Sequence, residues 1–145
     1  MTYLALDLLA ARADKTCAIA TASSDGAPTA ALAFYAPQAD GRLLMTTHTS
    51  SRKWAHLLSN GRVGLVVGWT FAEPHVQLDG NARLVPPGHP EIEALCAAYY
   101  AEFPQAAPFR DPTTGVIVIT PTWARITHFQ PAGPPQVEEG LIELQ

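Results

Sequence analysis

The residues with the strongest chemical character lie together in the run Met45 to Trp54, MTTHTSSRKW. Thr46 and Thr47 close an apolar stretch, and a polar segment then leads into Arg52 and Lys53. Ser50 is placed to cap a short helix, with Ser51, Arg52 and Lys53 in its first turn. The N–H groups of a first turn carry partial positive charge, so Asp and Glu are the favoured residues there. This chain instead puts two of its nine basic residues side by side at that point, and no acid occurs from residue 42 to residue 71. A local preference broken in this way marks a functional position. Its physical remedy is an anion: free N–H groups, threonine and serine hydroxyls and two cations together make a phosphate cradle. An exposed basic turn with an ordinary cap is the competing reading.

Other chemistries have weaker support. The five histidines, His48, His56, His75, His89 and His128, show no metal-ligand spacing, and Cys17 and Cys96 are far apart, so no metal is expected. The chain has no Gly-x-Ser-x-Gly, no glycine-rich phosphate loop and no Cys-x-x-Cys. No acid, base or nucleophile stands out, and no catalytic residue is assigned. Trp54 and Trp69 read as core, Trp123 as interface, and Asp79 and Arg83 as a solvated strand face.

The elements that must position the basic pair follow from periodicity. Residues 3–13 put Leu6, Leu9, Ala10 and Ala13 on one helical face. Residues 16–23 and 27–36 read as strands joined at Asp25–Gly26, a hairpin. A turn at Pro37 to Gly41 leads to a strand at 42–47. After the polar segment comes a short helix with Trp54, Leu57 and Leu58 inside, ended by Asn60–Gly61. Residues 62–69 read as a buried strand. Residues 75–85 alternate, with Val76, Leu78, Gly80, Ala82 and Leu84 on one face. The spacing of Ile92, Leu95, Cys96, Tyr99, Tyr100 and Phe103 predicts a helix over 90–103, with Pro90 in its first turn. Residues 115–129 read as a long strand in which Pro121 implies an edge or a bulge. The proline-rich tail after Phe129 reads as loosely ordered until a short end. The sum, about six strands with few helices, fits a mainly β fold: a closed, mostly antiparallel barrel with peripheral helices.

Bulk properties bound the function. A chain of 145 residues, 48% hydrophobic, is the size of one domain, here residues 1–145. A net charge of -4 argues against a nucleic-acid partner, which needs a basic face. No apolar run spans a bilayer, and no basic segment precedes an apolar stretch as in a signal peptide, so no membrane is expected. Two cysteines inside apolar patterns fit a cytoplasmic protein.

Order and spacing then add a likeness. Asp25–Gly26–Ala27–Pro28, the turn at Asp40–Gly41, Thr46–Thr47, Ser51–Arg52–Lys53, Leu57, Leu58, Asn60, Val63–Val67, Gly80, Pro121, His128–Phe129–Gln130 and Gly133 follow one another as in the pyridoxamine 5′-phosphate oxidase-like family of FMN-binding split barrels. The resemblance covers roughly residues 14–133. It implies a six-stranded antiparallel split barrel, a homodimer, and FMN in a cleft between subunits. On that analogy Arg52 and Lys53, with Ser51, bind the phosphate, and Thr46 and Thr47 meet the phosphate end or the ribityl chain. The backbone of Ala31, Leu32, Ala33 and Phe34 lines the isoalloxazine. His75 is a polar flavin contact, and Phe129 an aromatic that reaches the partner subunit's flavin.

The resemblance further implies an FMN-dependent oxidoreductase acting on a small-molecule redox substrate. The alternatives are a flavin carrier or redox sensor without turnover, and a relative that binds deazaflavin or haem in the same barrel. Two departures speak against pyridoxamine phosphate as substrate. Ala36 stands where the family places a lysine, and residues 134–145 hold neither Arg nor His.

Overall fold

In the computed structural model, which describes residues 3–144, helix α1 (Tyr3–Ala11) precedes a hairpin of β1 (Thr16–Ala22) and β2 (Pro28–Phe34). A two-residue strand β3 (Ala36–Pro37), then β4 (Leu43–His48), lead into helix α2 (Arg52–Ser59). Strands β5 (Arg62–Val67) and β6 (His75–Val85) follow, then α3 (Ile92–Glu102) and a 3-10 turn (Pro104–Phe109). The chain ends with β7 (Thr114–His128) and β8 (Gln136–Leu141). All pairings are antiparallel. The order is β2-β1-β5-β6-β7-β4-β3, with β8 added to β7. This curled sheet with few helices is a split barrel.

Two differences from the expected six strands have physical causes. The predicted strand at 27–36 breaks at Tyr35. That side chain is fully buried, and its hydroxyl donates to the Leu9 carbonyl at 2.9 Å, so the chain turns there from β1 to β4. The ordered end of the tail is longer than its composition predicts. Residues 136–141 pair with β7, and Ile142 is buried beyond them, donating its N–H to the Thr122 carbonyl. Strand pairing and one apolar anchor override the prolines.

Pro121 marks a bulge. Asp79 pairs with Trp123 and Gly80 with Pro121, which leaves Thr122 as the extra residue. On the other side of β7, Ile119 faces Leu43 of β4 while Trp123 faces Leu141 of β8. A residue without an N–H thus sits where the ladder is already interrupted. Gly80 is required opposite it, because an added Cβ would lie 2.8 Å from the Thr120 carbonyl oxygen.

Two apolar clusters hold the elements. The barrel interior joins Cys17, Ile19, Met45, Leu78 and Ile117 to Trp54 and Leu57 of α2 and to Ala5 and Leu9 of α1. The stripe on α1 differs from expectation: Ala10 and Ala13 are exposed, since the helix stops at Ala11. Outside the barrel, Ile92, Cys96, Tyr99 and Phe103 of α3 cover Leu44, Val116 and Val118. Both cysteines are free and buried. No helix among the described residues is long and apolar enough to cross a membrane.

Candidate functional site

Helix α2 begins one residue later than the sequence suggests. Ser51, not Ser50, is its N-cap, and Ser51 Oγ accepts from the Trp54 N–H at 3.1 Å. The Thr47 hydroxyl donates to the same oxygen at 3.0 Å and ties the cap to the end of β4. Trp54 fixes the helix from below. Its indole lies over Gly115, where an added Cβ would be 2.5 Å from the ring. Arg52 and Lys53 therefore occupy the first two helical positions, with no acid in that turn.

Their surroundings set them apart from the other cations. Arg12, Lys15, Arg42, Arg83, Arg110 and Arg125 each hold a carboxylate. Among the described residues, the remaining three of the nine Lys and Arg, namely Arg52, Lys53 and Arg62, hold none. Arg52 is exposed and reaches the Thr29 hydroxyl at 3.5 Å. Lys53 is half-buried, and burial lowers its pKa, against a smaller raising effect of the nearby Cys17 thiol. An unpaired cation drawn out of water is costly, and an anionic ligand relieves that cost.

Thr46 and Thr47 point to opposite faces of β4, as strand alternation demands. Thr47 turns to α2. Thr46 turns to α3, beside Tyr99 and Tyr100. Both line a cavity of about 250 Å³ closed by His48, Tyr100, Phe109 and Thr114. His48 is anchored there through Nδ1, 2.9 Å from the Thr113 hydroxyl and 3.5 Å from an Asp111 carboxylate oxygen. A larger cavity, about 530 Å³, lies between α1, the β3–β4 turn and Leu144. Its wall carries Asp7, Asp40 and Glu143, which does not suit a phosphate.

The segment Ala31 to Phe34 lies in β2, at one end of the strand order. Ala31 and Ala33 turn to the core, while Leu32 and Phe34 turn out, Leu32 with 75% exposure. His75 and Phe129 lie together, with ring centroids 4.8 Å apart, and Phe71 stands 5.0 Å from Phe129. His75 Nε2 donates to the Thr70 carbonyl at 2.7 Å. This aromatic group is not beside Arg52. Thr29 lies opposite Thr21, at the level of Gly80, and His75 is five residues further along β6, about 17 Å away along the strand direction.

Sequence reasoning missed two groups beside Arg52. Thr29 and His56 touch through Oγ1 and Nδ1 at 3.3 Å, and Thr21 Oγ1 lies 3.4 Å from the same nitrogen. The available signal was that His56 follows Arg52 by four residues, which places both on one helical face.

A family model described as pyridoxamine 5′-phosphate oxidase matches residues 7–128. The chain belongs to the pyridoxamine 5′-phosphate oxidase family. Solved structures agree on the fold of that family. A haem-binding protein from Mycobacterium smegmatis superposes with a TM-score of 0.73 at 18% identity, over 94% of this chain and 56% of its own. The chain thus spans little more than half of that protein. A pyridoxamine 5′-phosphate oxidase-related, FMN-binding protein from Nostoc punctiforme gives a TM-score of 0.64 at 12% identity, over 89% of this chain and 88% of its own. The haem storage protein HutZ from Vibrio cholerae gives 0.62 at 17% identity, over 74% and 81%. Among curated protein sequences, none matches the chain. Proteins of this fold thus include some described as binding haem and one described as binding FMN.

Proposed function

We propose that this chain binds FMN as a homodimer and acts as an oxidoreductase on a small-molecule substrate. The observation that carries the reading is the unpaired basic pair at the start of α2. Arg52 and Lys53 have no carboxylate partner among the described residues, and they stand with the Thr29, Thr47 and Ser51 hydroxyls beside free helix N–H groups. That donor set fits a phosphate monoester, with charge-assisted bonds from both cations. It does not suit the uncharged end of a ligand.

The rest of the cofactor has matching surfaces. From Thr29, the outer edge of β2 runs on to Phe34 and pairs with no further strand among the described residues. Such an edge suits the polar rim of an isoalloxazine ring. His75 offers its Nδ1 and Phe129 a ring face. Their distance from Arg52 is the reason to assign them to the partner subunit's flavin. FMN bound here would supply electron or hydride transfer. The protein's own groups hold the phosphate, orient the ring along β2 and exclude water with Phe34, Phe71 and Phe129. The cavity between Thr46, His48 and Tyr100 is the proposed place for a small substrate.

Haem is a second reading, favoured by the aromatic setting of His75, whose ring lies 5.4 Å from Phe71 and 4.8 Å from Phe129. An absorption spectrum of the purified protein, and of the protein refilled with FMN or haemin, separates the two. Flavin bands lost on Arg52→Ala with Lys53→Ala support the first reading. A Soret band lost on His75→Ala overturns it.

A further inference from the structure

Helix α2 carries a third group on the face that holds Arg52. His56 follows by one turn, and its Nδ1 contacts the hydroxyl that Arg52 also reaches, Thr29 Oγ1. One threonine oxygen therefore joins a fixed cation to a titratable ring. We propose that His56 is a phosphate-responsive residue of the anion site, which in its protonated form adds charge and, through Thr29, a hydrogen-bond donor for the FMN phosphate. This rests on the phosphate lying at Arg52 and Lys53, as argued above.

Proton counting gives the mechanism. A guanidinium only donates, so Thr29 Oγ1 accepts from Arg52. The hydroxyl has a single proton. With His56 neutral and its proton on Nε2, Nδ1 accepts from Thr29 or Thr21, and while Thr29 is the donor it offers nothing to a ligand. When the ring gains its second proton, Nδ1–H becomes a donor to Thr29 or Thr21. The Thr29 proton is then released toward the ligand side, next to Arg52. The same event adds a positive charge one helical turn from the proposed phosphate. Both changes favour a phosphate dianion over the empty site, and by linkage the phosphate favours the protonated ring.

The groups packed around the ring are mostly neutral. β1 and β2 face His56 with the neutral Thr21 and Thr29. β4, β5 and β6 contribute only apolar side chains to the core cluster that includes Trp54 and Leu57 of α2, among them Met45, Val63 and Leu84. The charged groups near the ring are Arg52 on the same helix and Asp25 in the β1–β2 turn, whose carboxylate the Ser23 hydroxyl and Ala27 N–H hold in its ionised form. A merely structural tie between α2 and the hairpin would give none of the phosphate-specific behaviour below.

The test measures FMN and riboflavin dissociation constants by fluorescence quenching from pH 6 to 8.5, for the parent and for His56→Gln. Ionisation of the phosphate itself is common to both proteins and cancels in their ratio. FMN affinity of the parent is expected to weaken with rising pH by about tenfold more than that of the variant, a coupling of ordinary size. At pH 8.5 the two should agree within about twofold, and riboflavin, which has no phosphate, should show no difference at any pH. Parallel FMN profiles overturn the proposal, and so does the same divergence with riboflavin. FMN binding indifferent to Arg52→Ala with Lys53→Ala overturns the phosphate reading itself, and this proposal with it. If His56→Gln does not fold, the His56 ring proton is titrated by NMR in the parent. A pKa raised by FMN supports the proposal, and an unchanged one overturns it.

Discussion

Lys53 reaches back from the first turn of α2 toward β1, close enough to the buried Cys17 that each affects the other's titration. Burial pushes the Cys17 thiol up to about 12, with the Lys53 ammonium pulling the other way. The same burial lowers Lys53. The pair is therefore a cation beside a neutral thiol, and Cys17 does not supply the missing anion at neutral pH.

The first prediction concerns the basic pair. Arg52→Ala with Lys53→Ala removes two cations from a helix turn that disfavours them, so the flavin-free protein should keep its Tm or gain slightly. FMN affinity should drop by a hundredfold or more, since each charge-assisted contact is worth about 1.5–3 kcal/mol. Calorimetric titration measures this, and Arg12→Ala with Lys15→Ala serves as the control for lost charge. FMN bound as tightly by the double variant as by the parent would place the phosphate elsewhere.

Alkaline pH should destabilise the fold through Cys17. Between pH 9 and about 12 the unfolded thiol ionises while the folded one keeps its proton. The folded state then binds more protons, so stability is fully present below pH 9 and is lost as pH rises through that window. The lowered Lys53 acts in the opposite direction, because its unfolded form holds a proton that the folded form has released. The slope for one fully ionising group is about 1.4 kcal/mol per pH unit. Cys17→Ala should flatten the fall of Tm above pH 9, and an identical fall in both proteins would refute the assignment.

Assembly is the third expectation. Leu32, Phe71 and Phe109 are 75, 74 and 80% exposed, an unusual apolar load for a lone subunit. A two-fold dimer burying more than roughly 2,000 Å² is expected. Light scattering should give twice the chain mass at micromolar concentration, and Leu32→Glu on the edge of β2 should lower it while weakening FMN. A monomeric parent that still binds FMN tightly would remove the shared cleft from the reading.

Substrate choice supplies the fourth. With Ala36 on β3, and no Arg or His after His128, pyridoxamine and pyridoxine 5′-phosphates lack cations to hold them. Turnover of either should stay well below about 1 per second, an ordinary enzymatic rate. Faster oxidation, followed by the absorbance of the aldehyde product, would show that other residues hold the second phosphate.

How far the sequence reaches is visible in individual residues. The alternation of Val76, Leu78 and Gly80 reports β6 because one face of that strand is buried and the other exposed. The stripe from Ile92 to Phe103 reports α3 for the same reason at helical period. Arg52 and Lys53 were legible because they break a local rule. β8 was not, since its strand exists only by pairing with β7, and no local pattern encodes a partner. His56 was hidden similarly. Its contacts, Thr21 and Thr29, lie 35 and 27 residues away in the chain and reach it only once the hairpin has folded over α2. Tyr35 broke a strand through a hydrogen bond to Leu9, which no propensity records.

The exchange of partners along β7 has a consequence for how the molecule opens. Beside β6 the strand is paired along nearly its whole length, broken only by the bulge at Thr122. On its other side it is two separate seams that meet at Pro121, one sealed by β4 and one by β8. A fluctuation that unzips β8 therefore stops at Pro121 and leaves the Thr47 and Ser51 hydroxyls at the far seam undisturbed. Amide hydrogens along the β4 seam should outlast those along the β8 seam in deuterated solvent, and the tail can breathe without loosening the turn that carries Arg52 and Lys53.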